Sequence, residues 1–101
     1  MTVPLLVNAP LLGVASSVEN AGAATMAATM GAAAGPVTAV LPPGAEDASA
    51  AAAAGFAARG AETVAMLAQL TAVRMLFAET IAASAAGYTA VDAVNEATLA
   101  L

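Results

Sequence analysis

Alanine fills 33 of the 101 positions of this chain, and that constrains its fold more than any motif does. Alanine is the best helix former, because it gives up no side-chain entropy, and a poor core former, because one methyl buries little area. The apolar fraction of 61% therefore misleads. Without alanine, 29 apolar residues remain, and Leu, Ile, Val and Phe together number 23. That is just above the level at which disorder becomes the default. Ordering a chain of this size costs on the order of 100–200 kcal/mol, against roughly 1.5–3 kcal/mol for each fully buried Leu or Val. The sequence writes helices and supplies little bulk to hold them together.

The remaining composition excludes whole classes of function. The length allows one domain. No cysteine means no disulfide framework, no thiolate metal site and no thiol nucleophile. No histidine removes the commonest general base and metal ligand. Two arginines, no lysine and a net charge of −5 exclude ordinary binding to nucleic-acid backbones. The adjacent carboxylates Glu46 and Asp47 stand at a helix start, where they act as caps and not as an acid–base pair. No catalytic, metal-binding or cofactor-binding constellation is visible, and the chain reads as non-enzymatic.

Two uncharged runs invite comparison with membrane spans. Residues 1–18 carry Leu5, Leu6, Leu11 and Leu12, but Pro4 and Pro10 interrupt them and no positive charge precedes Arg59. Residues 20–45 are long enough to cross a bilayer, yet they contain Gly22, Gly31, Gly35, Pro36, Pro42 and Pro43. A membrane span is not favoured. Alanine faces in contact with lipid or with other subunits still make a membrane-active or pore-contributing protein the alternative reading.

Proline and glycine punctuate the chain into two helices. Asn8 is a candidate N-cap with Pro10 in the first turn, and a first helix is expected over about residues 9–35. Pro36 should end or kink it. A proline-rich connection, 36–45, ends in Pro42-Pro43-Gly44, a strong turn signal. Glu46 or Asp47 then opens a second helix, expected over about 47–86 with Gly87 as its stop and a tail, 87–101. The fold class is all-α: two long antiparallel helices forming a helical hairpin.

On the second helix, Phe56, Thr63, Leu67, Leu70, Phe77, Ile81 and Tyr88 recur at sums of three and four, the pattern of one buried face. Met66, Val73, Leu76 and Thr80 widen it to a second flank. Arg74 falls within this stripe, placed to reach a partner's carboxylate or to snorkel along the edge. Arg59 and Glu62, three apart, form a candidate surface pair. Between Val18 and Val37 the first helix offers only Met26 and Met30 as bulk above threonine, adaptable packing surface by chemistry. Two such helices enclose no core, and one apolar flank stays wet. More helices, from another chain, should complete a four-helix bundle, with Met26, Met30, Phe56, Leu67, Leu70, Phe77 and Ile81 as the expected interface. A partly disordered helix former is the plainer alternative, and periodicity sustained over five turns speaks against it.

Tyr88 and Asp92 are four residues apart, so on a helical turn ring and carboxylate point to one side and can be read together. The structural alternative is a tyrosine that ends the apolar stripe and an aspartate that caps a terminal turn.

The run from Gly35 through Pro36-Val37-Thr38-Ala39-Val40-Leu41-Pro42-Pro43-Gly44 to Glu46-Asp47-Ala48-Ser49 resembles the inter-helix connection of the PE family, small mycobacterial proteins exported by type VII (ESX) secretion. Length, the alanine-rich second helix with spaced aromatics, and Tyr88-Thr89-Ala90-Val91-Asp92, similar to the Tyr-x-x-x-Asp/Glu export signal, extend the resemblance over nearly the whole chain. One departure is plain: Leu11 follows Pro10 where the family's name-giving glutamate is expected. That charge would favour a helix start by roughly 0.3–1 kcal/mol, so the fold survives its loss. The resemblance implies a secreted, non-enzymatic small subunit that pairs with a PPE-family protein in a heterodimer. It also implies an EspG-type chaperone acting indirectly through the PPE subunit, folding in the cytoplasm, and export by the type VII machinery to the cell envelope or beyond, with Tyr88 and Asp92 as the secretion signal.

Overall fold

The computed structural model describes residues 3–101. Two helices carry the fold, α1 (Ala9–Thr38) and α2 (Asp47–Leu99), packed as a helical hairpin, and no strand occurs among the described residues. The chain divides into two compact units: Met1–Ala21 with Arg74–Leu101, and Gly22–Val73.

In the first unit α1 opens on the Asn8 cap, whose Oδ1 accepts the Leu11 amide at 3.1 Å. Pro10 sits in that first turn, where a missing amide hydrogen costs nothing. The inward side chains are Leu12, Ser16 and Glu19 on α1 and Arg74, Ala78, Ile81 and Ala85 on α2. Ala78 is fully buried. The Ser16 hydroxyl donates to the Ala78 carbonyl at 2.7 Å, and Arg74 Nε donates to Glu19 Oε2 at 2.8 Å.

The second unit repeats the scheme with Ala23, Met26, Met30 and Ala33 on α1 facing Ala53, Ala57, Gly60, Val64 and Thr71 on α2, with Leu67 at the edge. Ala23 and Ala53 are buried. Thr71, also buried, satisfies its hydroxyl within α2 by donating to the Leu67 carbonyl at 2.9 Å. In both units the inward positions step alternately by three and four residues, the a and d positions of a heptad. Small residues at these positions let helices approach closely but enclose almost nothing. Among the described residues the buried apolar side chains are three alanines, and no bulky side chain is fully buried.

Both helices outrun the lengths expected from their punctuation. Pro36 lies inside α1, which continues to Thr38. So close to the end, proline forfeits little, and the Thr38 hydroxyl donates to the Ala34 carbonyl at 2.6 Å. Gly87 does not stop α2, which runs 13 residues past the expected end at 86 to Leu99. A glycine stop requires a left-handed backbone, and no described glycine has positive φ. The Thr89 hydroxyl bonds back to the Ala85 carbonyl at 3.0 Å, and Ala90, Ala93, Glu96, Ala97 and Leu99 beyond it favour the helix.

Candidate partner-binding face and tail motif

The bulky stripe of α2 is not the face this chain buries, which corrects the sequence expectation. Phe56, Leu70 and Phe77 are each more than half exposed, as are Met66 and Val73. The inward seam is instead mostly small, Ala53, Ala57, Gly60, Thr71, Ala78 and Ala85, with Val64, Arg74 and Ile81 between them. Periodicity weighted by side-chain bulk finds the wrong face when the helices meet through methyl groups. Each outward residue stands one position before an inward one: Phe56 before Ala57, Thr63 before Val64, Leu70 before Thr71, Phe77 before Ala78. One residue is about 100° of rotation, so α2 carries two seams side by side. The outward one follows the same steps, from Phe56 through Thr63, Met66, Leu70, Val73 and Phe77 to Thr80.

The other expected interface residues divide between the units. Met26, Met30 and Leu67 come together with Thr25, Thr29, Ala33 and Thr71 around an apolar hollow of about 240 Å³. Phe56 lines a shallow depression with Ala52, Gly55 and Arg59. Ile81 lies on the inward seam of the first unit, half-buried. Leu67 and Ile81 therefore belong to the hairpin's own contact, unlike Phe56, Leu70 and Phe77.

Arg74, expected to meet a partner's carboxylate or to snorkel, pairs with Glu19 of its own chain. No local spacing could have found this, since 55 residues separate the two. Arg59 and Glu62 form a 2.9 Å pair in open solvent, worth a few tenths of a kcal/mol. At the start of α2 the Ser49 hydroxyl donates to Glu46 Oε1 and holds that carboxyl below the usual glutamate range.

Tyr88 and Asp92 both lie on α2, in the first unit, and continue the a and d positions beyond Ala85. Tyr88 packs beside Ser84, Gly87 and Val91. Asp92 and Glu96 line a groove whose other wall is Val7, Asn8, Ala9 and Pro10 at the start of α1. Every residue from Ala86 to the end is exposed. Among the described residues no three His, Cys, Asp or Glu side chains gather where they could hold a metal ion. One 18-residue window of α2, mean hydropathy 1.4, is long and apolar enough to cross a membrane by length and composition.

A family description of the PE family matches residues 5–95. The chain belongs to the PE family. A curated relative, the PE family protein PE13 of Mycobacterium tuberculosis (strain ATCC 25618 / H37Rv), is 39% identical over 87 residues, 86% of this chain and 87% of that protein. No solved structure matches this PE chain. The match begins before α1 and ends within the last turns of α2, so it takes in both helices, the connection and the Tyr88–Asp92 segment.

Proposed function

We propose that this PE protein is the non-enzymatic small subunit of a heterodimer with a PPE-family protein, exported by a type VII system and acting at the cell envelope or outside the cell. The observation that carries it is the outward seam of α2: Phe56, Leu70 and Phe77 exposed at heptad spacing on a hairpin whose own core is alanine. Regular apolar side chains left wet along a helix are covered best by another helix, and a two-helix partner completes a four-helix bundle. In this scheme an EspG-type chaperone engages the pair through the PPE subunit, and Tyr88 with Asp92 forms the export signal.

Co-expression with a PPE-type partner tests the pairing. The chain made alone is poorly soluble or weakly helical, and it gains cooperative unfolding in the complex. A soluble, cooperatively folded monomer with no affinity for a PPE chain sinks the proposal. Replacing Tyr88 or Asp92 by alanine abolishes export and leaves the complex intact; loss of both together assigns the two residues a structural role.

The apolar window of α2 favours a second reading, a membrane-active helical protein. Carbonate-resistant membrane association without any partner chain selects it.

A further inference from the structure

In the second unit the outward row of α2 has one more step than its uncharged members fill. Arg59 stands three residues after Phe56 and four before Thr63, and so holds the position between them. The row's other members in this unit are Phe56, Thr63, Met66, Leu70 and Val73; none is charged, and all but Thr63 are large apolar side chains more than half exposed. The chain has two cations in all, and the other, Arg74, is bonded to Glu19 on the inward seam.

Glu62 answers Arg59 only loosely. Arg59 Nη1 donates to Glu62 Oε2 at 2.9 Å, both side chains stand open to solvent, and such a pair is weak. Glu62 lies about 100° around the helix from Thr63, on the side of α2 turned away from α1. The bond engages Nη1 and leaves the Nε–Nη2 edge, on which a guanidinium can take a carboxylate with two parallel hydrogen bonds. Beside Arg59 the surface is notched, with Ala52, Gly55 and Phe56 as the rest of the lining. Gly55 keeps the notch open, since a Cβ built on it meets nothing within 4 Å.

A helix laid along this row covers Arg59 together with its apolar neighbours. Covering a guanidinium without a counter-charge is far costlier than covering a methyl group, and Glu62 stays on the other side. The cover must bring an anion to this one step. Taking the outward row as the surface the PPE-type partner covers, we propose that the partner helix carries an aspartate or glutamate in its otherwise apolar seam, seated in the notch at Gly55 and bonded to Arg59. In a row with no other charge, this contact selects the partner. A helix with an apolar residue at that step leaves Arg59 buried and unpaired, and one with a basic residue meets a like charge.

The chain has no lysine, so Arg59→Lys introduces its one side-chain amine. A carbodiimide joins an amine to a carboxylate that it touches. In the co-expressed complex it should form an amide that peptide mass spectrometry maps between residue 59 and an Asp or Glu of the partner. A bond to Glu62 alone, or none to the partner, overturns the contact. Arg59→Glu should lower the amount of partner recovered about tenfold or more, and changing the mapped partner carboxylate to arginine in that background should restore it. A reversed pair that stays apart overturns the proposal. Glu62→Ala should leave recovery unchanged; equal losses in Arg59→Ala and Glu62→Ala trace the effect to the helix's own ion pair and overturn it too. If the unaltered chain draws no PPE-type partner, pairing and contact fall together. A complex that forms without the bond overturns the contact and leaves the pairing standing.

Discussion

Gly60 on α2 faces the Val37 carbonyl so closely that a Cβ built on residue 60 overlaps the oxygen. The obstacle is backbone, which does not swing aside. Gly60→Ala therefore costs about 1–3 kcal/mol through overpacking, only partly offset by the roughly 1 kcal/mol alanine gains as a helix former. Gly55, in the same helix, has nothing within 4 Å of the same construction, so Gly55→Ala raises stability by up to about 1 kcal/mol. Paired thermal melts followed by circular dichroism should move in opposite directions.

Neighbouring residues on α2 should separate folding from partner binding. Phe77 is 55% exposed and Ala78 is 0% exposed. Phe77→Ala is expected to leave the helicity of the chain unchanged and to weaken the complex by about 2 kcal/mol or more, the scale of a buried aromatic anchor. Ala78→Leu is expected to cost about 1–3 kcal/mol of hairpin stability by overfilling the seam. Circular dichroism and urea unfolding of the co-expressed complex, with the yield of partner that co-purifies, read the two effects.

The two ion pairs should be unequal. Glu19–Arg74 is mostly withdrawn from solvent, whereas Arg59–Glu62 is largely open to it. Double-mutant cycles in urea should give a coupling of about 1 kcal/mol for the first and at most about 0.5 kcal/mol for the second. Added salt should reduce the second more.

Acid should loosen the start of α2. The Ser49 hydroxyl holds the Glu46 carboxyl below its ordinary range, and a carboxyl depressed in the folded state stabilises fully above its unfolded pKa. That contribution fades as pH falls through the depressed folded value. Ser49→Ala should bring the Glu46 titration, followed by carboxyl NMR, back up toward ordinary glutamate.

The helices and their cap were legible because caps, prolines and alanine act within a few residues. Asn8 needs only the amide three residues on, and the bend at 43–46 needs little beyond the Pro42-Pro43-Gly44 run that begins it. Faces were harder to read. Phe56, Leu70 and Phe77 dominate any count of apolar bulk, so the inward stripe of Ala53, Ala57, Gly60 and Ala78 was invisible until helix stood against helix. Serine and arginine on that stripe were the available clue, since Ser16, Glu19 and Arg74 keep the same three-and-four step as the alanines. The end of α2 misled for another reason. Gly87 is a stop only where the backbone turns left-handed, which a residue type alone does not decide.

Because the two seams of α2 share no position, the chain keeps its frame and its outward apolar row in separate letters. A substitution at Phe56, Leu70 or Phe77 rewrites the row without touching the alanines that hold α1. Duplicated copies of such a gene can drift apart along that row while inheriting one unchanged scaffold.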